Sequence, residues 1–189
     1  ARRRQLSFLR VSPLVLSSLD GQRMFRERGY RPAPIHMHAE RMWVLNIRPP
    51  GEELLAGMRK TTRNLIRRVV RDGVTVRFST DPEDLPLFTT LYEETAHRER
   101  FVPFSQVFLR EEFQAFLRDG SIFLAFAEHE GKTLAGALIP IFGETGFYHQ
   151  GASTRRHTKN VPAPYLLQWE IIRELKRRGK WPAKPNLLA

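Results

Sequence analysis

Residues 122–127 constrain the fold of this chain more than any other stretch. Ile122, Leu124 and Phe126 alternate with Phe123, Ala125 and Ala127, so an extended segment here would be apolar on both faces. Such a strand needs cover on both sides and belongs in the middle of a sheet. It opens a run, residues 121–178, in which SIFLAFAEH, KTLAGALIPIFG and ETGFYHQGAS read as three successive strands. Glu130-Gly131 supplies the first tight turn and residues 143–146 the second. NVPAPYLLQWEIIRELKRRGK then reads as one helix. Pro162 and Pro164 suit its first turn, and Leu166, Trp169, Ile172 and Leu175 form a core-facing stripe. Lys176, Arg177 and Arg178 stand at its negative end, before Gly179. The third strand also carries Tyr148, His149, Gln150 and Ser153, and polar groups at the end of a central strand are either a site or a satisfied edge.

The upstream chain punctuates itself clearly. QLSFLRV, residues 5–11, reads as a strand. Residues 17–29 read as a short helix, capped by Ser17 or Ser18, with Leu19, Met24 and Phe25 inward and Gly29 at its end. Residues 35–37 are extended and residues 41–47, alternating through Met42 and Val44, form another strand. His36 and His38 would share one strand face, but no third ligand lies nearby, so surface polar residues are the better reading and no metal is expected. Pro49-Pro50-Gly51 is a break before a short helical segment at 52–58. In MRKTTRNLIRRVVRDGV, Met58, Leu65, Ile66, Val69 and Val70 fall on one helical side. Arg59, Arg63, Arg67 and Arg71, spaced by four, form a cationic ridge on another. Either an anion relieves their mutual repulsion or the ridge is a solvated face eased by Asp72.

Gly73 stops that helix and residues 74–78 form a strand. Asp81-Pro82-Glu83-Asp84 is a strong helix start, and Leu87, Phe88, Leu91 and Tyr92 line the inner side of a helix running to about His97. After the loop HRERFVPF at 97–104, Ser105 caps a helix to Arg118 with Phe108, Leu109, Phe113, Phe116 and Leu117 inward. From Val74 the order is therefore strand, helix, helix, three strands, helix.

Composition narrows the chemistry. A net charge of +11 favours a polyanionic partner such as nucleic acid, nucleotide phosphates or an anionic membrane face; the alternative is a merely basic surface. The 13 Phe and a 41% hydrophobic fraction can fill a core. With no Cys, disulfides and thiolate metal sites do not arise, which points to a cytoplasmic location. No apolar run is long enough to span a bilayer. There is no G-x-S-x-G, Walker A or G-x-G-x-x-G pattern to support nucleophilic-serine, nucleotide-hydrolysis or dinucleotide chemistry.

MRKTTRNLIRRVVRDGVTVRF, LYEETAHRERFVPFSQVF, IFLAFAEHEGKTLAGALIPIFGETGFYHQGAS and PAPYLLQWEIIRELKRRG occur in an order that resembles the FemABX family of aminoacyl-tRNA-dependent peptidyltransferases. Its members are built from two acetyltransferase-like (GNAT) domains. FLRVSPLV and GYRPAPIHMHAERMWVLNI look like the closing part of the first, so the likeness covers about residues 6–180. It implies an α/β (α+β) GNAT-like acyltransferase fold, with a mixed central sheet flanked by helices in an incomplete double-GNAT arrangement. Residues 1–50 would close the first domain, 51–73 form a basic connecting helix, 74–180 the front part of the second domain, and 181–189 a divergent tail. The family continues with a strand and a later Phe-Lys motif, whereas here Gly179 is followed by WPAKPNLLA, which carries neither. The chain is thus expected to be an internal or C-terminally disrupted piece.

The resemblance implies transfer of an amino acid from aminoacyl-tRNA to the stem-peptide amine of a UDP-linked or lipid-linked peptidoglycan precursor, building the interpeptide bridge. The setting would be cytoplasmic, with peripheral contact at the inner membrane face. No cofactor is expected: a coenzyme-A-using GNAT enzyme would carry a glycine-bearing pyrophosphate loop where RRHTKNVPAP stands. Aminolysis of an activated ester needs a neutral amine, alignment and donors for the developing oxyanion. Candidate precursor-binding residues are Arg98, Arg100, Tyr148, Gln150 and Ser153, with Tyr148 and His149 as catalytic candidates. Tyr148 either meets the precursor or is a core aromatic with a surface hydroxyl, and His149 has no acidic partner visible in sequence. Arg155, Arg156 and Lys159 either hold phosphate or form an ordinary basic loop, and the Arg59, Arg63, Arg67 and Arg71 ridge is the tRNA-contact candidate. Two alternatives stand beside this reading: a non-catalytic basic module for RNA or an anionic surface, and a GNAT-like N-acyltransferase with another acyl carrier.

Overall fold

The computed structural model of the chain describes residues 7–12, 18–34, 43–155, 161–179 and 187–188. It divides into two compact units, Ala1–Met42 and Trp43–Ala189.

In the first unit, helix α1 spans Leu19–Glu27, and Ser18 caps it by accepting from the Gly21 N–H at 3.0 Å. Phe25 packs edge-on against Tyr30 with centroids 5.5 Å apart. Residues 7–12 carry no regular structure, so the strand expected over 5–11 does not form where it is described. Leu19, expected inward, is 84% exposed, and Met24 is exposed too. This nine-residue helix buries none of its residues. His36, His38 and the extended segment at 35–37 lie outside the described residues.

The second unit begins with strand β1 (Leu45–Asn46), shorter than the strand expected over 41–47, and helices α2 (Gly51–Gly57) and α3 (Lys60–Arg71). Strand β2 (Thr75–Ser79) comes next, then a 3-10 turn (Pro82–Asp84), α4 (Leu85–Glu99) and α5 (Gln106–Leu117). Asp81 accepts from the Glu83 N–H at 2.9 Å and Ser105 from the Phe108 N–H at 3.1 Å, so both predicted start signals operate. Strands β3 (Ile122–His129) and β4 (Lys132–Phe142) form the central hairpin. ETGFYHQGAS does not form one strand but two, β5 (Thr145–Gly146) and β6 (Gln150–Ser153). Helix α6 (Ala163–Arg178) precedes β7 (Leu187–Leu188), so the tail expected to lack a strand contributes one.

The strands run in the order β1-β7-β5-β4-β3-β2, with β6 also on β4. All pairs are antiparallel except β5 with β7. The double-sided alternation of β3 sorts onto two cores. Phe123, Ala125 and Ala127 join Ile66, Val69, Leu167, Ile171 and Leu175 under α3 and α6. Ile122, Leu124 and Phe126 join Phe88, Leu91, Leu109 and Phe113 under α4 and α5. Each fully buried Leu, Ile or Phe here contributes about 1.5–3 kcal/mol. Val70 and Phe108, expected inward, are largely exposed, and Leu87 is only marginally covered. Each lies one step around the helix from a fully covered residue, Val69, Leu109 and Phe88 respectively, which occupies the inward position.

Charged groups pin the edges of this core. Arg77 on β2 donates to both oxygens of Asp84 at 2.8 and 2.9 Å and to Glu128 on β3 at 2.7 Å, with its guanidinium over the Phe126 ring. Glu174, 5% exposed, accepts from Arg177 and Arg178. The Lys176 ammonium donates to the carbonyls of Ile47, Arg48 and Pro49 at 2.7, 3.1 and 2.7 Å, fastening the segment after β1 to the last turn of α6.

Candidate functional site

Strand β4 pairs with β3 along one edge and changes partner along the other. Ala135–Leu138 face β6, with Leu138 opposite Gln150, whereas Ile141 and Phe142 face β5. The change falls at Pro140. Its carbonyl accepts from the Phe147 N–H at 2.9 Å, so its nitrogen also faces that edge, and proline has no N–H to offer there. Beyond that one bond from Phe147, Tyr148 and His149 leave the ladder, and the interruption splits the expected strand in two. Tyr148 and His149 sit in the gap.

Both line a cavity of about 380 Å³ together with Thr95, Gly151, Ala152, Ser153 and Pro164. The Tyr148 ring lies against Gly151, where an added Cβ would stand 2.6 Å from its Cε1 and hydroxyl, so glycine is required for the close approach. Burial pushes the Tyr148 phenol up from its ordinary pKa, more than a hydrogen bond with Gln168 lowers it. At neutral pH the phenol stays protonated.

His149 does have an acidic partner. Its Nε2 lies 3.2 Å from Oε1 of Glu112 on α5. The other Glu112 oxygen is buried with no hydrogen bond. Tyr92 borders the same pair: burial raises its pKa, the backbone of Phe104 offsets that in part, and the Glu112 charge adds to the rise. The carboxylate was hidden in the sequence because it pairs across elements. Its one signal is position, three residues after Leu109 and four before Phe116, on the inward stripe of α5.

The strand that bounds the cavity is laced to α4. The Ser153 N–H donates to the Thr95 hydroxyl at 2.9 Å, and Thr154 donates to Glu94 at 2.6 Å. Arg98 donates to the Ser153 carbonyl at 2.6 Å, to its hydroxyl at 3.2 Å and to Glu99 at 2.8 Å. Arg98 thus holds Ser153, which lines the cavity with Tyr148, and most of the Arg98 fork is engaged in holding β6. Gln150 starts that strand, half-buried. Arg100 is exposed in the left-handed region at φ 58° as the residue that ends α4.

The basic candidates disperse. Arg155, exposed, lies 4.0 Å from Glu99, while Arg156 and Lys159 fall outside the described residues. Of the α3 ridge, Arg59, Arg67 and Arg71 are exposed. Arg63 is not part of an outward ridge: it folds back to donate to the carbonyls of Ala56 and Met58, the orphan acceptors at the end of α2. Among the described residues no cluster of three His, Asp or Glu could hold a metal ion, and no helix is long and apolar enough to cross a membrane.

Chemically, the cavity brings together a protonated phenol, an imidazole backed by a carboxylate, and a strand held rigidly by arginine and threonine. That set can accept a proton from a nucleophile and donate a hydrogen bond to a developing oxyanion.

A protein-family model described as an acetyltransferase (GNAT) domain matches residues 56–180. Among solved structures, FemX is similar with a TM-score of 0.69 at 16% identity, over 77% of this chain and 51% of that one. The C-terminal domain (DUF2156) of a putative lysylphosphatidylglycerol synthetase from Agrobacterium fabrum gives 0.52 at 13% identity, over 77% and 44%. L-PGS from Bacillus licheniformis gives 0.50 at 16%, over 69% and 40%. The chain thus spans about half the length of these structures or less, and the likeness is one of fold. No curated protein matches the chain.

Proposed function

The chain belongs to the acetyltransferase (GNAT) domain family, and from that premise we propose that it transfers an amino acid from aminoacyl-tRNA to the stem-peptide amine of a peptidoglycan precursor. The observation that carries the reading is the cavity, where His149 backed by Glu112 and the half-buried phenol of Tyr148 line one space. The fold likeness to FemX and the residue-level resemblance to FemABX enzymes support the choice of donor and acceptor.

In this reading the amine nitrogen attacks the ester carbonyl of the aminoacyl group and gives its proton to His149. The Glu112 carboxylate favours the imidazolium that forms. Tyr148 donates to the oxyanion, and collapse breaks the ester bond as the His149 imidazolium returns its proton to the leaving oxygen, releasing the tRNA hydroxyl. Gln150 and the Ser153–Arg98 pair meet the precursor. Arg59, Arg67, Arg71 and Arg155 meet tRNA phosphates without reading sequence. Residues 74–180 serve as the front part of a second GNAT-like domain, at the cytoplasmic face of the membrane.

The test supplies the full gene product with tRNA carrying a labelled amino acid and with UDP-linked and lipid-linked pentapeptide precursors. Label in either precursor is the expected result. Incorporation from acetyl-CoA alone would replace this reading with acyl transfer from a thioester, and no incorporation from any donor would favour a non-catalytic binding role.

A further inference from the structure

The transfer chemistry leaves one conspicuous surface unused: the connection between α4 and α5. Phe101, Val102, Phe104, Val107 and Phe108 are all exposed there, Val102 by 94% and Val107 by 60%. Five large apolar side chains within eight residues are far more than the isolated exposed hydrophobics that any protein surface carries. They are also held in place and have not collapsed inward. The Phe101 N–H donates to the Ala96 carbonyl at 3.2 Å, and its ring lies 5.7 Å from that of Tyr92. Tyr92 bonds the Phe104 backbone, Ser105 caps α5, and the Phe104 and Phe108 rings stack at 4.8 Å.

Cations frame this apolar group. Arg100 precedes it and Arg110 lies beyond it, both exposed and neither with an ion-pair partner among the described residues. Residues 98–110 hold three arginines against the single Glu99. An apolar tip flanked by unpaired guanidiniums matches the two layers of an anionic bilayer surface: acyl boundary for the side chains, lipid phosphates for the arginines.

We propose that the 101–108 segment is a membrane-docking surface that inserts its aromatic and aliphatic side chains into an anionic phospholipid interface, with Arg100 and Arg110 on the headgroups. The docking goes beyond the transfer reading and is tested without any activity assay.

Vesicles of phosphatidylglycerol and phosphatidylcholine in equal parts are sedimented with the chain, beside vesicles of phosphatidylcholine alone. The expected result is binding to the mixed vesicles, reduced at least tenfold by the triple change Val102→Ser, Phe104→Ser, Phe108→Ser, which leaves the net charge unaltered. Arg100→Gln with Arg110→Gln should erase the preference for anionic vesicles. Because the chain has no cysteine, Val102→Cys offers a single site for an environment-sensitive dye, whose emission should shift to the blue on binding. Failure of the unmodified chain to bind vesicles overturns the proposal. So does full binding by the triple variant, which would place the attraction on charge elsewhere. A concentration-dependent dimer abolished by the same three changes would assign the surface to a second copy and overturn it as well.

Discussion

His149 presents one ring nitrogen to Glu112 and also lines the cavity, so its orientation there depends on a carboxylate from a different helix. A carboxylate against one ring nitrogen fixes the tautomer and leaves the other nitrogen free to take a proton. In Glu112→Gln that hold on the ring is loosened, and kcat/KM for aminoacyl transfer should drop about tenfold or more. His149→Gln should remove about 100-fold or more. A purely structural role for Glu112 would lower the melting temperature along with the activity, and thermal melts of the variant tell the two apart. The sequence offered His149 as a candidate but no partner for it. Glu112 stands 37 residues earlier, and only the packing of α5 onto β3, beside the 147–149 segment, brings the two together.

At the level of elements, the decisive residue is Pro140. It denies the second edge of β4 one donor, and the segment that carries Tyr148 and His149 leaves the ladder at that point. Pro140→Val restores an N–H facing this segment. The 147–149 backbone is expected to draw toward β4, shown by a newly protected amide at residue 140 in hydrogen exchange. Transfer should fall about 100-fold from the misplacement of both side chains, without loss of thermal stability. The proline was visible in LIPIF, yet the alternation around it read as continuous, because a missing donor matters only on the edge it faces. The long elements were legible for a different reason. In β3, β4 and α6 the apolar period runs over eight or more residues and agrees with the turn and cap signals at the ends. Two-residue strands such as β1, β5 and β7 have no period to read; their pairing partners define them. Arg63 was misplaced likewise: spacing by four put it on a ridge, but the unpaired carbonyls closing α2 drew it back.

For the molecule as a whole, two carboxylates couple the fold to pH. The Arg77 fork lowers the pKa of Asp84, and Ser79 assists. Burial works to raise Glu174, but Arg177 and Arg178 outweigh it and the net shift is downward. Both groups therefore bind protons less readily folded than unfolded. Their contribution is complete above the unfolded carboxylate range of about 4 and is lost as pH falls through the lower folded values. Thermal melts should be nearly level from pH 8 to about 5 and decline below, and Asp84→Asn should flatten part of that decline. The three-carbonyl grip of Lys176 on residues 47–49 has a temporal side. Its halves lie 127–129 positions apart, and a ribosome delivers the carbonyls long before the ammonium. During synthesis the early segment waits without its clasp, shielded only by whatever meets it at the exit tunnel, until α6 emerges.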